Sequence, residues 1–128
     1  MINAIFAQPN YLAAKKLLDA TALRHEAIAS NLANIETPNY RRVDLDPSFM
    51  RELQQAIATQ DSAQLGALQP RTATDATAVS SRRDGNTVEL DKELLNLNEN
   101  NLAHALDTQL ISSSLVKLRT AITGRSTV

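Results

Sequence analysis

Ala29-Ser30-Asn31-Leu32-Ala33-Asn34-Ile35-Glu36-Thr37-Pro38-Asn39-Tyr40 ends one long helical pattern and turns the chain out of it. Leu32 and Ile35 prolong an apolar stripe, whereas Asn31 and Asn34 are poor helix formers whose amides can bond the backbone instead. Thr37 stands before proline and is pushed towards extended geometry. Pro38-Asn39 suits a turn with a positive φ at Asn39, and Tyr40 begins an extended departure.

Upstream of this stop, residues 1–9 form a short lead-in, and Asn10 is placed as the N-cap of a helix over residues 10–35. Its stripe at three- and four-residue spacing reads Tyr11, Ala14, Leu18, Thr21, His25, Ile28, Leu32 and Ile35, a coiled-coil-like seam with a polar centre. Downstream, residues 36–45 form the turn and an extended segment. Asp46-Pro47 is a cap and first turn for a shorter helix over residues 46–60, carrying Phe49, Leu53 and Ile57 on one face.

Residues 61–90 are expected to be loop, since they are rich in small and polar residues without a sustained period and contain Pro70. Near their end, Asp84-Gly85 signals a tight turn and Val88-Glu89-Leu90 a short extended piece. Asp91 is then placed as the cap of a helix over residues 91–123, closed by Gly124, with Lys117, Arg119 and Arg125 at the end that favours cations. Its stripe is Leu90, Leu94, Leu97, Asn101, His104, Thr108, Ile111, Leu115, Leu118 and Ile122. Leu95, Leu102, Leu106, Leu110 and Val116 fall outside that stripe, so the helix is apolar over a broad surface. At ~1.5 Å per residue it is roughly 50 Å long, more than a small globule needs.

The fold class is therefore all-α: one elongated domain over residues 1–128, with two long terminal helices as an antiparallel, coiled-coil-like hairpin, an irregular middle and one short helix. Antiparallel stripes align with Leu32 against Leu97, Leu18 against Ile111, Ala14 against Leu115 and Tyr11 against Leu118. Thr21 then faces Thr108 and His25 faces His104, a polar layer suited to setting register, although Ile28 opposite Asn101 breaks the pattern.

Composition agrees. The chain has 128 residues, 43% of them hydrophobic, with no Trp, two Tyr and two Phe, so its core is aliphatic. Three glycines and four prolines are too few for a barrel or sandwich of many tight turns. Thirteen basic residues against fourteen acidic ones, without long runs of either sign, argue against nucleic-acid binding. No stretch is long enough to span a bilayer, and the apolar run Ile2–Ala7 lacks the basic start of a secretory signal. Without cysteine there is neither a disulfide framework nor thiolate chemistry.

His25 and His104, with Glu26 and Asp107 nearby, are the only candidates for acid–base or metal chemistry. Without an H-x-x-x-H pair, a cysteine or a glycine loop they read as a polar layer, and no cofactor or metal is implied. Ser112-Ser113-Ser114 lacks the strand-turn-helix frame of a nucleophile. Two helices bury one seam and leave the rest of the C-terminal helix uncovered, so the monomer is completed by association. Unlike faces make heterologous contacts that build rings or tubes.

The run Ala29, Asn31-Leu32-Ala33-Asn34, Thr37-Pro38 and Tyr40 resembles the rod, hook and hook-filament family of bacterial flagellar axial proteins. Asn39 stands where that family usually has glycine, and asparagine is the next residue to tolerate the left-handed region. The short length and Asp84–Glu93 look most like the proximal rod type. The resemblance covers residues 18–43 and 84–122 and leaves the middle unsupported. It implies a subunit exported through the flagellar type III apparatus without signal cleavage and assembled in the periplasmic rod of the basal body.

Implied partners are copies of itself, other rod proteins, a small junction protein at the membrane ring and, transiently, the export gate. Neither nucleic acid nor membrane insertion is implied. Function then rests on the motif residues Asn31, Leu32, Ala33, Asn34, Thr37, Pro38 and Tyr40. It rests equally on the seam residues Leu18, His25, Ile28, Leu97, His104, Ile111, Leu115 and Leu118. Ile2, Ile5 and Phe6 either pack under the helix start or form an export recognition patch. The alternative is a cytoplasmic helical adaptor or export chaperone that binds a partner helix; an enzyme is the weakest reading.

Overall fold

A computed structural model describes residues 6–80 and 82–124. The chain is mostly helical, with one small sheet that an all-α class did not include. Helix α1 spans Pro9–Ala33 and takes Gln8, not Asn10, as its N-cap. The reason is Pro9, whose fixed φ suits the first helical position and whose missing N–H needs no partner there. α1 ends at Asn34, which folds its side-chain Nδ2 back onto the Ser30 carbonyl at 2.9 Å. Asn39 takes the positive φ expected of it, at 60°.

Strand β1, Val43–Leu45, follows, and then helix α2, Pro47–Thr59, where the Asp46 side chain accepts from the Ser48 N–H at 2.8 Å. Two elements occupy the segment expected to be loop. Helix α3, Ser62–Ala67, is capped by Asp61, and strand β2, Thr72–Thr74, pairs antiparallel with β1, Val43 opposite Thr74 and Leu45 opposite Thr72. A six-residue helix is too short to show a period, and Thr72-Ala73-Thr74 becomes a strand only because β1 lies beside it. Helix α4 runs over Leu90–Thr123 from Glu89 as N-cap, so Asp91 lies in the first turn instead of capping it. Gly124 closes α4 at φ 63°, its N–H on the Thr120 carbonyl at 2.9 Å.

The apolar core lies to one side of α1, not between the long helices. Phe49, Leu53 and Ala56 of α2 join Leu65 of α3 and Leu68, packed on Ala13 and Ala20 of α1. The alanines let α2 and α3 approach the α1 backbone closely, and Phe49 is fully buried between them.

α4 meets α1 through polar groups. Asn31 contacts Glu93, Arg24 contacts Asn96, and Thr21 contacts both Asn100 and His104, so the contacts run in opposite chain directions. Thr21 therefore sits about one turn from the expected Thr108. The buried residues of α4 are Glu93, Asn100 and Asp107, at every seventh position, and Leu95, Leu102, Leu106 and Val116 lie exposed on the opposite side. The leucine-rich side of α4 points away from its own chain.

Phe49→Ala is expected to cost about 3–5 kcal/mol, as aromatic truncation in a closed core does, read as a lowered urea midpoint. Leu102→Ser on the outward side of α4 should leave that midpoint within about 0.5 kcal/mol.

Candidate functional site

The motif turn is held by a buried polar hub that joins α1, β1 and α4. Asn31, fully buried on the last turn of α1, grips the β1 backbone at both ends of its amide: Nδ2 donates to the Val43 carbonyl at 2.8 Å, and Oδ1 accepts from the Val43 N–H at 2.9 Å. The same Nδ2 donates to Glu93 Oε2 at 3.2 Å. Tyr40 folds back so that its hydroxyl lies 3.0 Å from Ser30 Oγ and 3.4 Å from Asn31 Oδ1.

Arg42 is the hub's cation. Its Nε donates to Glu93, whose side chain is fully buried, its Nη1 to Asp75 at 2.6 Å and its Nη2 to Asp44 at 2.8 Å. Arg24 of α1 holds the other Asp44 oxygen at 2.9 Å and reaches Asn96 of α4 at 3.4 Å. Three carboxylates and two guanidinia thus bind α1, β1, the end of β2 and the start of α4.

The stretch 84–88 closes the turn from the far side. Asn86 Nδ2 is shared among the carbonyls of Asn34, Ile35 and Thr37 at 2.9, 3.1 and 2.8 Å, the acceptors left open where α1 ends. Thr87 Oγ1 accepts from the Arg42 N–H at 2.8 Å, and the Asn39 N–H donates to the Asp84 carbonyl at 2.8 Å. Gly85 has φ 74°, and a Cβ there would lie 2.6 Å from Asn39 Oδ1. The positive φ favours glycine at this position, and a side chain there would also displace the Asn39 amide.

Charges follow this packing. Burial pulls the Arg42 pKa down, but hydrogen bonds to Glu93 and Asp44 outweigh it and the net shift is upward. Burial pushes the Asp44 carboxyl up, yet Arg24 and Arg42 bring it below the usual range. Asp75 is opposed by burial in the same way and is also lowered, by the Thr77 hydroxyl and N–H and by Arg42. Asp107 goes the other way: burial raises it, against smaller downward pulls from His104 and Thr21.

Of the residues singled out in the sequence, Asn31 and Ile28 are buried, and Leu32, Asn34, Tyr40, Leu18, Leu97, Ile111 and Leu118 are half-buried. Ala33, Thr37, Pro38, His25, His104 and Leu115 are exposed, as is Phe6, which meets the Tyr11 ring edge-on at 5.5 Å; Ile2 and Ile5 lie outside the described residues. His25 and His104 border one open cleft with Glu26 and Asn101. Among the described residues no three metal-ligating side chains converge. Arg42, Asp44, Asp75, Asn86, Thr87, Glu93 and Asn100 were not anticipated. A buried arginine or glutamate looks like a surface one in a single sequence, and the one available signal was the clustering of Asp84–Glu93.

A mostly helical chain, held by a polar hub at its turn and apolar on the outward face of its longest helix, has the build of a structural subunit. No family model matches the chain. It is 33% identical over 109 residues to the flagellar basal body rod protein FlgB of Cereibacter sphaeroides, covering 79% of this chain and 84% of that protein. It is 28% identical to FlgB of Salmonella typhimurium over 126 residues, 86% and 90% of the two chains, and 29% identical to FlgB of Borrelia hermsii over 115 residues, 76% and 83%. The chain belongs to the FlgB family of flagellar basal body rod proteins, which are structural proteins and not enzymes.

Arg42→Ala is expected to cost about 3–5 kcal/mol, because it leaves the Glu93 charge buried and unpaired, while the apolar pair Arg42→Met with Glu93→Leu should cost less than Arg42→Ala alone. Urea midpoints of the three chains check this. Asp44 and Asp75 have folded values below their unfolded ones. Their stabilisation is therefore complete above about pH 4, the unfolded value, and is lost as pH falls through the depressed folded values. Asp107, raised on folding, contributes with the opposite sign, and its contribution is lost as pH rises through the raised value. Urea midpoints measured down an acid series should fall, and the Asp44→Asn chain should show a shallower fall.

Proposed function

We propose that this basal-body rod protein works as a self-assembling subunit of the proximal rod, packing with copies of itself and with other rod proteins into the shaft that transmits torque. The observation that carries this reading is the inverted α4: its inward side is Glu93, Asn100 and Asp107, and its outward side is Leu95, Leu102, Leu106 and Val116. A helix spends its leucines on solvent only where another surface covers them. With polar seams inward and apolar stripes outward, each copy presents unlike faces to its neighbours, the heterologous geometry of rings and tubes.

The finer assignments follow from the same reading. Leu18, Ile28, Leu97, Ile111, Leu115 and Leu118 act as coiled-coil-like seam residues in the assembled state, and His25 and His104 as their polar layer. The turn from Asn31 to Tyr40 sets the angle at which the long helices leave the hub. The subunit reaches the periplasm through the flagellar export gate without signal cleavage, with Ile2, Ile5 and Phe6 as recognition residues, and meets a small junction protein at the membrane ring. The partial exposure of Phe6 supports that role, and no helix among the described residues is long and apolar enough to cross a membrane. A cytoplasmic adaptor draws no support from the relatives.

The test is co-purification of the tagged chain with detergent-extracted basal bodies from cells with and without a working export apparatus. The chain is expected in basal bodies only where export works; a chain soluble in the cytoplasm of both strains would overturn the reading. Leu102→Glu with Leu106→Glu should fold with an unchanged urea midpoint and yet be lost from basal bodies.

A further inference from the structure

A second cleft lies between α1, β1, α2 and α4, with a cavity volume of about 370 Å³. Leu17, Leu45, Met50 and Ala103 make it largely apolar, and Arg24 and Asp44 at its margin neutralise each other. Asp107 also lines it. As a residue Asp107 is 8% exposed, and it has no ion-pair partner among the described residues. The nearby Thr21 hydroxyl oxygen lies 3.0 Å from the Leu18 carbonyl and 3.1 Å from His104 Nδ1. Burial pushes the Asp107 carboxyl up and outweighs the smaller downward pulls of His104 and Thr21.

We propose that this cleft receives the Lys117 side chain of a second copy of the chain, with Asp107 as its counter-ion. This rests on the self-assembly reading above and adds the contact by which copies engage.

An apolar channel ending in a carboxylate suits a lysine, whose four-carbon stem lies along apolar walls while its ammonium reaches the charge. The chain's own lysines narrow the choice. Lys92 is bonded to Glu89 at 2.8 Å, Lys16 is buried, and Lys15 has Asp19 one turn away on the same helix. Lys117 is exposed, sits between Val116 and Leu118, and belongs to a stretch, Thr108 to Thr123, that contains no acidic residue. Within one copy, Lys117 and Asp107 lie on the same rigid helix, roughly 15 Å apart at ~1.5 Å per residue, so the pair forms only between copies. The distal end of one α4 then enters the middle of the next copy, a head-to-tail contact that can repeat without closing.

Treating isolated basal bodies that contain the chain with a water-soluble carbodiimide, which joins a carboxylate to an amine in contact, tests this by mass spectrometry. An Asp107–Lys117 linked peptide is expected, absent from the Asp107→Asn chain. Asp107→Asn should keep or raise the urea midpoint of the isolated chain, whereas incorporation into basal bodies should fall about tenfold, the scale of one charge pair. Lys117→Gln should fall equally, Arg119→Gln should stay within twofold, and Asp107→Lys combined with Lys117→Asp should recover. Basal bodies that hold the chain but give no such peptide, or that couple Asp107 to another lysine, would overturn this contact and leave the self-assembly reading standing. Absence of the chain from basal bodies would overturn both.

Discussion

The buried pair of Arg42 and Glu93 is the constraint on which the rest of the structure depends. Glu93 is fully enclosed at the start of α4, so its charge is tolerable only while Arg42 faces it. Arg42 can face it only if β1 leaves the turn in one direction, and that direction is imposed by Asn31, which grips the Val43 amide from the end of α1. Thus the N-terminal helix, the turn and the C-terminal helix are fixed together by groups that tolerate little misplacement.

This arrangement separates two tasks that a small domain usually combines. Cohesion of the chain comes from a modest aliphatic core around Phe49, on one side of α1, and from the polar hub. The buried residues of the long helix α4 are the polar Glu93, Asn100 and Asp107, and Leu97, Ile111 and Leu118 are only half-buried. Its leucines stay available for other surfaces. A polar inner seam also resists slipping, since a shift of one turn would leave Asn100 without the Thr21 carbonyl and Glu93 without Arg42.

Reading periodicity alone placed the seam of α4 a part-turn away from its buried positions Glu93, Asn100 and Asp107. Leu90, Leu94, Leu115 and Ile122 of the expected seam are exposed, whereas Leu97, Ile111 and Leu118 are half-buried and His104 meets Thr21 of α1. The rule that apolar residues face inward assumes that the single chain is the folding unit. It fails where the chain is part of a larger packing unit, and the departure from the rule is itself informative about function. The stretch 61–80 was misread for a different cause: α3 and β2 are short, and their state depends on contacts with α1 and β1 more than on their own propensities.

By itself the sequence determined what depends on neighbours along the chain: the stop at Asn34, the left-handed turn at Asn39, the Asp46 cap and the Gly124 closure of α4. Each is set by steric limits on φ and by side chains bonding backbone a few residues away, so the residues concerned carry the signal. The family motif was legible for the same reason. Tertiary structure alone decided that Asn31 grips β1, that Arg42 gathers Glu93, Asp44 and Asp75, and which side of α4 turns inward. Those outcomes depend on desolvation and on geometry between residues up to 83 positions apart. No local pattern encodes the point at which a charge leaves water and finds its partner.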